Sequence, residues 1–247
     1  MAIFGIDIFC RDTIEGELVA NCLESAAGDT TYLHWLLQAW WIAVALSLLG
    51  LLVALVCGVV MGILRTTPRR SLVLIGDVWT ELFRNVPLIV QLFLWYFVVP
   101  ALVPPLKALP GFVLAFIGLG LFTSARISEQ IKAGILSLPR GQRYAGLAMG
   151  FTLPQTYRYV LLPMAFRIVI PPLTSESMNI VKNSSVAFAV SVPELTMFAR
   201  QAGEETSHPV LMFLAATILY FVSAFAINRV LKWVEARVRV PGMIGAK

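Results

Sequence analysis

Apolar positions in this chain are gathered into long runs rather than spread at the short period of an amphipathic surface element. The runs cover residues 40–64, 86–103 with a helical lead-in from Leu72, 112–136, 172–192 and 209–231. A helix of about 18 or more mostly apolar residues crosses the roughly 30 Å hydrocarbon core of a bilayer, so the pattern predicts an all-α integral membrane protein with five transmembrane helices. Thr66-Thr67-Pro68, the prolines between 100 and 110, Pro139 and Pro193 separate the runs. The fourth run is the most polar of the five. Pro87 is expected to kink the second, and Pro171-Pro172 to start a helix, since proline is tolerated in a first turn.

Composition agrees: 58% of 247 residues are hydrophobic and 13% charged. The start lacks a basic segment followed by an apolar core and a small-residue cleavage site, so no cleaved signal peptide is expected. Basic residues set the orientation, because cytoplasmic loops retain Lys and Arg. Arg65, Arg69 and Arg70 lie in the first loop, Arg140, Arg143, Arg158 and Arg167 in the third, and Arg229, Lys232, Arg237, Arg239 and Lys247 at the end; Arg11, Lys107 and Arg200 are left for the other side. That asymmetry places the N-terminus outside and the C-terminus in the cytoplasm. It yields an extracytoplasmic segment 1–34, a membrane domain 35–235 with a cytoplasmic loop at about 137–167, and a cytoplasmic tail 236–247. Cys10 and Cys22 could pair only in an oxidising compartment. The net charge of +5 is dispersed between apolar runs, which fits membrane orientation better than nucleic acid.

The chain has no GxxxxGK[ST] phosphate loop, no HExxH, CxxC or GxSxG element, and only His34 and His208 as histidines. Nucleotide binding, a metal site and enzymatic catalysis are therefore not expected. The loop 137–167 is more informative. Gln142 to Met149 are helix formers with Tyr144, Leu147 and Ala148 at helical spacing, followed by Gly150 where a C-cap glycine belongs. A second short helix is expected from Pro154 to near Pro163. Apolar side chains on such helices suit a protein partner, or else the membrane surface.

This loop resembles the EAA loop of ABC importer permeases, in which Glu-Ala-Ala is followed after three residues by Gly and after nine more by Ile-x-Leu-Pro. The matching positions are Tyr144, Ala145 and Gly146, then Gly150, then Val160, Leu162 and Pro163; the leading acid is replaced by Tyr144 and the second alanine by Gly146. FRNVPLIVQLFLWYFVVP at 83–100, FTSARISEQIKAGILSLPRGQ at 122–142, LPMAFRIVIPPLTSESMNIVKNSS at 162–185 and VEARVRVPG near the end extend the resemblance to the polar amino-acid branch over about residues 35–242. It is nearest to the permease subunits of glutamate/aspartate importers. The resemblance implies the type I ABC importer permease fold in a bacterial inner membrane, and a dimer with a second permease subunit or second copy. It implies a separate ATPase dimer that binds ATP and Mg, a periplasmic solute-binding protein and an acidic amino-acid substrate. Gln142, Tyr144, Ala145, Gly146, Leu147, Met149 and Gly150 would form the helix that couples to the ATPase.

Ionisable residues inside a membrane face protein or a water-filled path, because their burial in lipid is costly. Arg126 lies near the middle of the third run with Glu129 and Gln130 one turn on, and Ser175, Asn179 and Lys182 form a polar stripe on the fourth, flanked by Glu176 and Asn183. The candidate substrate-binding residues are Arg126, Glu129, Ser175, Asn179, Lys182 and Asn183, with the Arg126 guanidinium offering a fork for a side-chain carboxylate. The competing reading is an Arg126–Glu129 pair that only fastens helices. Glu81 and Arg84 read as a structural pair, and Gly50, Gly58 and Gly62 as sites of close helix packing. Alternatives for the whole are a permease for glutamine or a basic amino acid, or a self-contained ion-coupled transporter.

Overall fold

The computed structural model describes residues 6–14, 16–19, 22 and 30–238. Most of the expected cytoplasmic tail, with Arg239 and Lys247, lies outside the described residues. The described elements are helical: α1 (Tyr32–Leu64), α2 (Arg70–Asn85), α3 (Leu88–Phe93), α4 (Val99–Leu102), α5 (Gly111–Leu136), α6 (Arg140–Ala148), α7 (Leu153–Thr156), α8 (Leu162–Asn183), α9 (Leu195–Thr206) and α10 (Pro209–Val238). Single π-helical turns, Leu94–Val98 and Tyr157–Leu161, join α3 to α4 and α7 to α8.

Helices α1, α5 and α10 are each long and apolar enough to cross a membrane. Helix α2 and the run Leu88–Leu102 form a further candidate only as a pair, bent by 105° at Val86-Pro87. The bend has a local cause. Val86 is extended ahead of the proline, as a residue preceding proline prefers, and Gln91 donates its amide to the Phe83 and Val86 carbonyls freed at the break.

Helix α5 is the axis of the bundle, packed against α1, α2 and α8. Its seam with α1 is made by glycines on both sides. A Cβ on Gly58 would stand 2.7 Å from the Ile127 Cβ and 2.8 Å from the Ser124 carbonyl oxygen; one on Gly62 would stand 2.6 Å from the Ile131 Cβ and 2.8 Å from the Ser128 carbonyl oxygen. Gly120 returns the contact, with Val53 Cβ and the Gly50 carbonyl oxygen at 2.6 and 2.8 Å from where its Cβ would be. Small residues thus let the two backbones touch, as membrane helices require when lipid supplies no hydrophobic drive for association. The expectation for the α1 glycines holds. Gly134 of α5 admits Val169 of α8 in the same way.

Two boundaries differ from the sequence expectation. Pro171 and Pro172 lie inside α8 instead of starting it, and the short loop helix does not end near Pro163 but runs through its π-turn into α8. Proline removes a donor from the helix ladder without preventing helix where packing holds the backbone. Here Ala165 and Val169, upstream of the prolines, are buried in one cluster with Ile131 and Ile135 of α5.

At the opposite end, Cys10 and Cys22 are disulfide-bonded. The segment is closed on itself by a backbone bridge from Arg11 to Leu18, and pinned to the bundle by one from Asp12 to Thr31 and by Ile8, buried among Tyr32, Leu36, Phe198 and Met212.

Replacing Gly58 by leucine is expected to lower the thermal midpoint of the purified protein in detergent, since overpacking a tight seam costs about 1–3 kcal/mol. Gly141→Ala, at a position with nothing within 4 Å of the added carbon, is expected to leave it unchanged.

Candidate translocation site

Helix α5 distributes its polar side chains to two neighbours. Toward α8, the Arg126 guanidinium lies 3.7 Å from Glu176 Oε2, and Gln130 Nε2 donates to Glu176 Oε1 at 3.4 Å. Arg126 also sits over the Phe122 ring, 4.9 Å from its centroid, a cation–π placement that holds a guanidinium without consuming its N–H donors. Its side chain is 40% exposed and makes no hydrogen bond among the described residues. Glu176 is buried. Glu176 Oε2 and Gln130 Oε1 are buried acceptors with no hydrogen-bond donor among the described residues. The cluster therefore holds unused donors on Arg126 beside unused acceptors on Glu176 and Gln130, and burying polar groups in that state is costly.

Toward α1 and α2 the picture is the reverse. Arg65, at the end of α1, is buried and donates through Nε to Asp77 Oδ1 at 2.7 Å and through a terminal nitrogen to Ser128 Oγ at 3.3 Å. Lys132 is 3.5 Å from the same Asp77 oxygen. Thr80 and Ser128 hydroxyls share a hydrogen bond, and Trp79 donates to Ser124. Glu129 accepts from Arg84, which also binds Glu81 at 2.8 Å as the three-residue spacing predicts, and Arg65 stands 4.0 Å from Glu129.

Arg126 and Glu129 are therefore not brought together. Three residues along a helix leave an angular offset, and it turns Glu129 to the arginines of α1 and α2 while Arg126 turns to α8. Ser175 and Lys182 are exposed, Asn179 and Asn183 half-buried, and their side chains have no partner among the described residues. They continue along α8 from Glu176. Glu176 and Gln130 are the polar groups nearest Arg126 that sequence reasoning noted only as neighbours; the signal for Gln130 was its position one turn from Arg126.

Helix α6 stands at the other end of α5. Its backbone closes at Gly150, whose φ of 84° is a left-handed conformation that glycine adopts freely. Gly146 packs on Thr156, and a capping box between Thr152 and Gln155 starts α7. Tyr144, Ala145, Leu147 and Met149 are exposed, an apolar surface left uncovered by the described residues. Behind it, Thr66, Leu138, Arg140, Arg143, Tyr144 and Tyr157 line a cleft of about 450 Å³. Gln142 Oε1 and Arg143 Nε on this helix are buried without hydrogen-bond partners among the described residues. The Tyr157 hydroxyl donates to the Thr66 carbonyl at 2.7 Å, tying this region to the end of α1.

Polar side chains turned toward each other between membrane helices, with an apolar loop helix left bare at one end, are the architecture a transport permease needs, and the family comparison names that class. The chain belongs to the family described as binding-protein-dependent transport system inner membrane component, whose pattern matches residues 54–240. It is 45% identical to the Escherichia coli K12 glutamate/aspartate import permease protein GltJ, over 89% of this chain and 94% of that one. It is 26% identical to the glutamate/aspartate import permease protein GltK of Escherichia coli CFT073, over 83% of this chain and 94% of GltK. Among solved structures, an amino-acid ABC transporter described as crystallised with histidines superposes with a TM-score of 0.72 at 24% identity, covering 83% of this chain and 95% of that chain. The fold is thus that of an ABC importer permease.

Asp77→Asn is expected to destabilise the protein by about 1–3 kcal/mol, because it takes from buried Arg65 its nearest anion. Thermal unfolding in detergent measures it, and Arg70→Gln, an exposed arginine without an acidic partner among the described residues, is the control.

Proposed function

We propose that this chain is one permease subunit of an ATP-driven importer for acidic amino acids in a bacterial inner membrane. Half-exposed Arg126, with free N–H donors beside unsatisfied Glu176 and Gln130 acceptors, carries the proposal. A dicarboxylic amino acid brings a carboxylate for the guanidinium and an ammonium for the two acceptors, so one ligand completes both halves of the cluster. The 45% identity to a glutamate/aspartate import permease supports the same substrate class.

The chain crosses the membrane five times in this reading, the second crossing beginning at Pro87 and the fourth formed by α8 and the following turn. The N-terminus is outside, where the Cys10–Cys22 bond is stable, and the C-terminus is in the cytoplasm. Ser175, Asn179, Lys182 and Asn183 face the pathway and a second permease subunit. The α6 segment from Gln142 to Gly150 docks on an ATPase dimer that binds ATP and Mg, and a periplasmic solute-binding protein delivers the substrate. Glu129 serves the Arg65 and Arg84 framework, and its effect on substrate is indirect. ATPase closure moves α6, and the paired permease subunits then change which side of the membrane Arg126 faces.

Radiolabelled glutamate uptake into proteoliposomes holding permeases, ATPase and binding protein is expected to require ATP and the binding protein; uptake by this chain alone would overturn the importer-subunit reading. Arg126→Ala is expected to abolish glutamate-stimulated ATP hydrolysis in that complex while gel filtration shows the complex intact. Stimulation at the wild-type level would make Arg126 a structural residue.

A further inference from the structure

Helix α2 has three faces, and two of them are accounted for by the described residues. Gly76 and Thr80 are buried against α1 and α5, with Trp79 reaching Ser124. Asp77, Glu81 and Arg84 form a charged flank engaged with Arg65, Lys132 and Glu129. The third face is apolar: Leu74, Ile75, Val78 and Leu82 fall within a sector of about 100° on a 3.6-residue helix. They are 52% to 63% exposed, and nothing among the described residues covers them.

The geometry says what does. The 105° bend at Pro87 turns α2 across the direction of Leu88–Leu102, so if the latter runs through the bilayer, α2 lies along its surface. Its depth is set by Arg65, the residue that ends α1 and binds both Asp77 of α2 and Ser128 of α5. That depth is the end of a membrane helix. Beyond the bend, exposed Ile89, Val90, Phe93, Leu94 and Phe97 carry the same apolar surface into the crossing. At the start of α2, Arg69 and Arg70 are exposed, and no carboxylate of the described residues lies within ion-pair distance of either.

We propose that α2 is an in-plane interfacial helix docked on the bilayer itself, with Leu74, Ile75, Val78 and Leu82 in the acyl boundary and Arg69 and Arg70 bound to anionic phospholipid phosphates. An amphipathic helix with cations at its polar edge binds an anionic surface through both terms together. The Arg65 to Glu81 network keeps the helix rotated so that its charges face water while its apolar face meets lipid. The helix thereby anchors α5, the helix that carries Arg126, to the leaflet.

The test uses the full chain in nanodiscs of phosphatidylcholine alone or with phosphatidylglycerol. A nitroxide on Val78→Cys, in a Cys57→Ser background, is expected to be reached by oxygen and shielded from a water-soluble nickel chelate, and one on Glu81→Cys to be reached by the chelate. Shielding of position 78 from both quenchers, as a second protein chain would produce, overturns the proposal, and so does free access of the chelate to it. Phosphatidylglycerol is expected to raise the thermal midpoint by about 4–8 °C. That rise should vanish in Arg69→Gln/Arg70→Gln and persist in Arg69→Lys/Arg70→Lys, with all three proteins alike in phosphatidylcholine. A wild-type midpoint indifferent to phosphatidylglycerol, or a rise that survives the glutamine substitutions, overturns the role of the two arginines.

Discussion

The polar side chains of α5 are positioned by the close approach of α1 and α5. Gly58, Gly62 and Gly120 let the backbones meet, and the seam fixes the rotation of α5 about its own axis. Once Ile127 and Ile131 are locked against α1, Arg126 and Gln130 must point toward α8, while Ser124, Ser128 and Lys132 border α2. A side chain at any of the three glycines would separate the helices and loosen that rotation. In a membrane, where apolar association gains little over contact with lipid, such shape-determined packing carries the specificity that a hydrophobic core carries in water.

The two charge clusters on α5 then differ in how fully their donors and acceptors are matched. Around Arg65 the donors and acceptors are matched: carboxylates of α2 and α5, hydroxyls and a lysine all find partners within the chain. Such a cluster has little to offer a ligand. Around Arg126 the contact is looser, at 3.7 Å, and capacity is left over on both sides of it. A buried carboxylate oxygen without a donor is a costly arrangement that a purely structural pair would have no reason to keep. Both clusters contain an arginine and a glutamate, so composition alone does not distinguish them.

The parts of this arrangement that depend on local spacing were legible in the sequence. The α1 glycines, the Glu81–Arg84 pair, the break at Pro87 and the α6 helix with its Gly150 end all follow from neighbours within a few residues. What depended on distant elements was not. Glu129 is three residues from Arg126 in sequence and was read as sharing its face, yet it is held by Arg84, 45 residues away. The prolines of α8 were read as a helix start because local rules count their missing donors and not the packing of Val169 into Gly134. Helix α2 was read as a lead-in to the second crossing, since an apolar run reports how greasy a segment is and not its direction.

The packing also dictates how a push on α6 travels. Leu138, just before α6, and Tyr157 and Leu161, just after it, belong to one buried cluster with Ile127, Ile131 and Ile135 of α5 and Ala165 and Val169 of α8. Close-packed interiors deform little, so α6 cannot shift without moving α5 or α8, or sliding one past the other. The second outcome is the one with a consequence for Arg126. Arg126 is on α5 and Glu176 on α8, so a slide of one helix along the other changes the 3.7 Å separation that holds the cluster together. Gly134, where Val169 enters α5 most closely, is the natural pivot, and the polar cluster lies about two turns from it along α5. A slide of α5 along α8 therefore changes how tightly Arg126 is held by its own chain.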